Sequence, residues 1–402
     1  MPRVLLLLPT STYRAPDFLA AATRLGVEVV VGSEHRQAMA RDMGDRAVVV
    51  PLSDREAGAA AIIALHARAP IDAVVAVDER GVEVAALAGE QLGLVHTDPR
   101  AVAATRDKAL MRALLAEAGV AQPEHRVASH PDDVARLAGE LGWPVVVKPV
   151  GLSASRGVIR ADDAEAAEAA ARRIRAMVDG PLIVEQYVPG FEVAVEALAR
   201  GGDGFEVLAV FDKPDPLVGP YFEETIYVTP SRLADELVTR VSHVTALAAR
   251  AIGITDGPVH AELRIDGSHV SLIEIAARSI GGLCSRTLRF GAGIALEELI
   301  LRHALGMPVD HAARELDASG VMMLPIRTGG ILDEVRGQDA ARSVPGITGL
   351  EITIPRGRVV EPLPEGDRYL GFLFAKGSTP AEVEASLRAA HAALDVVITE
   401  PV

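Results

Sequence analysis

The 402-residue chain is expected to fold as a multidomain α/β and α+β protein that opens with a doubly wound α/β domain. Three observations predict this. Early in the chain, short β-branched runs that are apolar on both faces alternate with Ala-rich helical stretches, the pattern of a parallel sheet covered on both sides. From about residue 189 the strands lengthen and alternate, as in an antiparallel sheet with one face turned to a cleft. The length also exceeds what one core ordinarily serves, so two to four compact units are expected.

In chain order, strand "RVLLLL" leads to helix "FLAAATRLG", strand "VEVVVG", a helix near "RQAMARDMG", strand "AVVVPL", a longer helix and strand "IDAVVAV". The first strand is followed by "PTSTYRA" rather than GxGxxG, so the dinucleotide fingerprint is missing and a nicotinamide enzyme is not expected. After this 1–96 domain, residues 97–122 read as one or two linking helices ending at Gly119 and Pro123. A small α+β unit, 123–188, holds "RVAS", helix "DDVARLAGELG", strand "PVVVKPV", a Gly/Ser loop, a helix near residues 163–178 and "LIVEQYV". The larger unit, 189–309, holds "FEVAVEALA", "FEVLAVFDKP", a long helix, a hairpin and helix "ALEELILRHALG". Residues 310–402 carry short Gly/Pro-punctuated strands and helix "TPAEVEASLRAAHAAL", an appended C-terminal lobe.

The net charge of −15 argues against a nucleic-acid partner, since phosphate backbones are bound by clustered Lys and Arg. A small anionic ligand stays open, because a few local cations and backbone N–H groups suffice. The one cysteine, Cys284, forms no internal disulfide and leaves the cytoplasm as the default. No apolar stretch approaches the roughly 20 residues that span a bilayer. A homodimer is the default assembly.

The hairpin "HAELRIDGSHVSLIEIAAR" puts charges into an otherwise apolar strand. Alternation places His260, Glu262 and Arg264 on one face, and Leu272, Glu274, Ala276 and Arg278 on one face of the second strand. A two-residue Asp-Gly turn would set Glu262 and Glu274 on opposite sides of the sheet. A three-residue loop with a glycine bulge would pair Ile265 with His269 and make the carboxylates diagonal neighbours, with Cα atoms roughly 7–8 Å apart. Carboxylates so placed would hold a hard divalent cation. The plainer alternative pairs Glu274 with Arg278 and Glu262 with Arg264 on a half-exposed sheet face.

Upstream, "VVVKPVGLSASRGV" is a strand ending in Lys148, then a donor-rich loop with Ser153, Ser155, Arg156 and Gly157, which suits a polyphosphate although it is not a Walker A sequence. "LIVEQYVPGFEV" carries Glu185 at a strand end and Glu192 beyond Pro189-Gly190.

In this order these segments resemble the ATP-grasp superfamily along nearly the whole chain. The resemblance implies an ATP-grasp fold in which Lys108 and Lys148 contact ATP phosphates and the Ser153–Gly157 loop closes over them. It further implies that Glu185, Gln186, Tyr187 and Val188 frame the adenine and Glu192 takes the ribose. Glu262 and Glu274 would ligate Mg2+, with Mn2+ as its substitute, and Arg278 would steady an acyl phosphate with Lys148 as its catalytic partner. Ala276 stands where many members carry a metal-binding Asn, and "EIAAR" followed by Gly-Gly looks more like the branch of L-amino-acid ligases and carnosine-synthase-like enzymes. That implies a ligase joining small carboxylate and amine substrates. Glu223, Glu224, His260, Gly281, Gly282 and Arg286 are its candidate substrate residues. The alternatives are a purine-biosynthesis or biotin-carboxylase-like enzyme, and a non-catalytic nucleotide-binding regulator.

Overall fold

A computed structural model describes residues 1–10, 12–36, 43–202, 204–291, 293–309 and 313–400. The helix expected near "RQAMARDMG" lies largely outside them.

The first sheet is fully parallel, in the order Ala47–Val49, Glu28–Ser33, Arg3–Leu7, Ala73–Ala76. Alternation within one strand explains the double cover. Val4 and Leu6 pack with Phe18 and Leu299, whereas Leu5 and Leu7 pack with Ile62 and Val84 on the other face. The strand order reverses between Arg3–Leu7 and Ala73–Ala76, and ligand crevices form at the carboxyl ends of strands at such a reversal. The residues that follow these strands, among them Tyr13, Arg14, Asp78 and Glu79, line the main cavity.

The linker is two helices, Pro99–Arg106 and Lys108–Glu117. Asp107 ends the first and caps the second, accepting from the Leu110 N–H at 2.9 Å. The small unit is a four-stranded antiparallel sheet, ordered His125–Ala128, Leu182–Gln186, Val145–Pro149, Ile159–Ala161. Helices Val134–Leu141 and Ala164–Met177 share its core through Leu137, Ala138, Ala170 and Ile174.

The large sheet has eight strands, ordered His269–Ala276, Asp256–Asp266, Phe191–Arg200, Phe205–Lys213, Ile226–Thr229, Ala318–Leu324, Gly371–Gly377 and Ile347–Ile352. Its last three strands come from the segment expected to form an appended lobe. Ala318–Leu324 is buried throughout and continues the sheet beside Ile226–Thr229, so the C-terminal segment, which keeps a core of its own, is joined to the larger unit through this sheet. Residues from this segment therefore reach the cavity.

The hairpin corrects the expected register. Asp266 pairs with His269, so the loop is the two residues Gly267 and Ser268. The bulge lies in the strand instead: Leu263 faces Leu272, but Glu262 faces Glu274, which leaves Ile273 as the extra residue. Before it, Val270 and Leu272 point into the core with Leu263 and Ile265; beyond it, Ile275 does so. Leu272 is thus on the face opposite Glu274, and the two glutamates are direct rather than diagonal neighbours. Among the described residues, no helix is long and apolar enough to cross a membrane.

Candidate active site

Lys148 is the last residue but one of the buried strand Val145–Pro149 and is itself buried. Its Nζ donates to Glu185 Oε2 at 2.7 Å, while Arg112 Nε donates to Glu185 Oε1 at 2.8 Å. Burial pushes the Glu185 carboxyl up, but Arg112 and then Lys148 outweigh it and hold it down at about 2. Arg112 also donates to the carbonyls of Leu272 (3.2 Å) and Ile273 (2.6 Å). One fully buried guanidinium therefore ties the small unit to the bulge that sets the glutamate register. The Glu185 carboxylate serves this ion pair, and Glu185 lines the adjoining pocket together with Gln186, Tyr187 and Val188.

Because the folded Glu185 pKa lies below its unfolded value, its stabilisation is present above the unfolded pKa and is lost as pH falls through about 2. The difference in unfolding free energy between wild type and Glu185→Gln is expected to shrink by about 2 kcal/mol between pH 6 and pH 3. A pH-independent difference in urea titrations would refute the charged pairing.

The same pocket has apolar walls, Val146, Val158, Leu217 and Ile273 among them, with Tyr187 and Phe222 stacked at 6.5 Å between centroids. Glu192 lines it with both oxygens engaged, by Lys213 (2.8 Å) and Arg264 Nε (2.8 Å). The alternative Glu262–Arg264 and Glu274–Arg278 pairings are not formed: Arg264 goes to Glu192, and Arg278 goes to Glu79.

Carboxylate oxygens of Glu192, Glu224 and Glu262 lie within 4.8 Å of one another. The buried Lys213 ammonium fills that space, reaching Glu192, Glu224 and, at 3.2 Å, Glu262. Burial lowers the Lys213 pKa, and the three carboxylates more than reverse this. For Glu262, burial raises the pKa, and Lys213 with His260 brings it well down. This trio already binds a cation. Glu274 differs: its side chain is 32% exposed and meets Lys108 Nζ at 3.6 Å. Glu262 and Glu274, two hard oxygen donors face to face, fit a magnesium ion that keeps its other positions for water and phosphate. Lys108 Nζ also donates to the Leu152 carbonyl at 2.6 Å, fixing one end of the Gly/Ser loop.

In that loop Ser153, Ser155 and Arg156 line the cavity, whereas Gly157 lines neither it nor the pocket. Ala154 (φ 59°) and Ser155 (φ 56°) are left-handed, a backbone costing about 1 kcal/mol or more per non-glycine residue. Beyond the glutamates opens a cavity of about 420 Å³. Arg278 lines it and donates to Glu79; Arg106 Nη1 donates to the same carboxylate at 2.8 Å. His260 lies between Glu196 (3.1 Å) and Glu262 (3.6 Å). Burial lowers its pKa, and both carboxylates raise it above the ordinary value.

Gly281 and Gly282 line the cavity as well. Gly282 needs its identity: at φ +63° a Cβ would sit 2.8 Å from the Phe372 ring. Glu224 faces both spaces, but Glu223 lines a separate small pocket with Ala154 and Ile326, because successive residues of an extended segment point apart. Arg286 is also corrected as a substrate residue. It is tied to Asp17 and Glu351, against Phe374, and lines neither space.

Sequence reasoning missed Arg112, Glu79 and Tyr369. Arg112 had a signal, since it shares the i, i+3, i+4, i+7 stripe of Lys108, Met111 and Leu115 and so had to be buried. Glu79 follows a strand end at the sheet's reversal. Tyr369, whose hydroxyl reaches Glu224 at 3.4 Å, had none.

Residues 19–96 match the ATP-grasp N-terminal domain and 141–287 the ATP-grasp domain. The formate-dependent phosphoribosylglycinamide formyltransferase of Synechococcus sp. (strain RCC307) is 30% identical over 399 residues, covering 95% of this chain and 94% of that protein. The chain belongs to the ATP-grasp superfamily. Within it, residues 322–399 match the L-amino acid ligase C-terminal domain 2, so this stretch is similar to the L-amino-acid-ligase branch. An alanine–anticapsin ligase of Bacillus subtilis is 28% identical over 255 residues, 58% of this chain. The chain spans about half the length of that relative, 53%. The fold is shared with the crystal structure of an L-amino acid ligase from Bacillus licheniformis, with TM-score 0.83, 24% identity, and 100% of this chain and 99% of that one covered.

Proposed function

We propose that the chain is an ATP-dependent ligase that joins the carboxylate of one amino-acid-like substrate to the amine of another through an acyl phosphate, releasing ADP and phosphate. The observation that carries this reading is the direct Glu262–Glu274 pair at the junction of the apolar-walled pocket and a larger cavity, with Arg278 on the cavity side. Related folds solved with ATP support the nucleotide.

Adenine would lie in the apolar slot beside Tyr187 and Val188, with ribose near Glu192. Lys148 and Lys108 would meet the phosphates, and the Ser153–Gly157 loop would exclude water from the acyl phosphate. Glu262 and Glu274 would hold magnesium, which when bound neutralises charge on the transferring phosphoryl group. The substrate carboxylate attacks the γ-phosphorus and ADP leaves. The amine then attacks the acyl carbon, Arg278 donates to the oxygen that gains charge, and phosphate leaves.

Phosphate release from Mg-ATP, measured across pairs of amino acids, is expected to depend on the pair. A second reading, a purine-type enzyme, is favoured by the full-length likeness to the formyltransferase. Turnover with formate and phosphoribosylglycinamide, and none with any amino-acid pair, would replace the ligase reading.

A further inference from the structure

The turn around residues 362–369 touches both the Gly/Ser loop and the cavity. Gly157 donates its N–H to the Pro364 carbonyl at 3.0 Å, and Arg156 Nε donates to the Glu365 carbonyl at 3.2 Å. The Glu365 carboxylate accepts from Arg173 Nε (2.6 Å) and Nη2 (2.9 Å), a two-point fork onto the long helix of the small unit. Two to four residues further on, Asp367, Arg368 and Tyr369 line the cavity, and Tyr369 reaches Glu224. The loop held by this turn is the one with Ala154 and Ser155 in the left-handed region, a conformation that persists only where neighbours hold it.

We infer that Glu365 is a positioning residue. Its turn holds the strained phosphate loop shut, and a substrate touching Asp367, Arg368 or Tyr369 steadies that turn, so that nucleotide turnover waits for the cavity to fill. The coupling to turnover rests on the ligase reading above; the hold on the loop does not.

The test compares Glu365→Gln, Arg173→Gln and the swapped pair Glu365→Arg with Arg173→Glu. Titration with a fluorescent ATP analogue needs no turnover. Both single variants are expected to bind it about fivefold more weakly, the upper range for one partly exposed ion pair. With active pairs of substrates, phosphate released per amide formed should rise above one in the singles, while the urea midpoint stays at the wild-type value. The swap should restore both readouts. Unchanged nucleotide affinity in the singles overturns the inference, whether or not the ligase reading survives. Weakened affinity with phosphate and amide still equal overturns the coupling. A wild type that forms no amide with any pair refutes the ligase reading, and the affinity comparison then decides the hold on the loop alone.

Discussion

Glu274→Ala is expected to lower pair-dependent phosphate release by roughly a hundred- to a thousandfold, the scale on which losing one group that stabilises transition-state charge is felt. The effect should fall more on turnover than on folding. Glu274 is the more exposed of the facing glutamates, and its charged neighbour is Lys108 at 3.6 Å. Lys108 keeps the Leu152 carbonyl as a partner when the carboxylate goes. Lys108 is itself buried and loses the Glu274 carboxylate, so the unfolding free energy should fall by about 1–2 kcal/mol, less than the loss in rate represents. Glu262 is the wrong residue for this experiment, because it also helps to hold Lys213 and its loss would mix folding with chemistry. Phosphate release by Glu274→Ala at the wild-type rate, across the same amino-acid pairs, would remove Glu274 from the metal site. The Glu262–Glu274 pair would then be only a cross-strand contact.

The fold was legible wherever a local pattern reflects local physics. Two-sided apolar strands declared the parallel sheet, and Gly119 with Pro123 marked where the linking helices stop. What could not be read was how distant segments complete one surface. The strand Ala318–Leu324 shows no alternation because it is buried on both faces, so nothing in its sequence says that it extends the large sheet. The hairpin shows the same limit at smaller scale. Turn chemistry suggested that the register would be settled at Asp266–Ser268, whereas the decisive bulge is at Ile273, held by a guanidinium from Arg112, 160 and 161 residues away from the carbonyls it binds. The motif residues Lys108, Lys148, Glu262, Glu274 and Arg278 converge because a helix start, three strands and the bend after one of them face one cleft. Glu223 and Arg286 were placed there by proximity in sequence, and proximity does not fix which way a side chain points.

Lys213→Met is expected to be the most destabilising of these substitutions. It leaves Glu192, Glu224 and Glu262 crowded within 4.8 Å without the ammonium that now sits among them. Removing one partner of a buried charge cluster costs about 3–5 kcal/mol, because the remaining charges stay desolvated. The sign of the pH dependence follows from the same geometry. Glu224 is already pushed up by burial and by Glu262, with Lys213 opposing. Without Lys213, Glu262 loses the ammonium that holds its carboxyl down, and the folded-state pKa of Glu224 rises further above the unfolded value. Such a group favours the fold below its unfolded pKa, and that advantage is lost as pH rises through the folded pKa. The urea midpoint of Lys213→Met should therefore fall further below wild type at pH 8 than at pH 5. Millimolar magnesium should recover part of the loss at pH 8 in the variant and little in the wild type, since only the variant has an unfilled carboxylate cage. Equal midpoints for the two proteins at pH 8 would show that Lys213 does not hold the cluster. A wild type stabilised by magnesium as strongly as the variant would show that the three carboxylates take a metal even with Lys213 present, and would move the metal site from the Glu262–Glu274 pair to Glu192, Glu224 and Glu262.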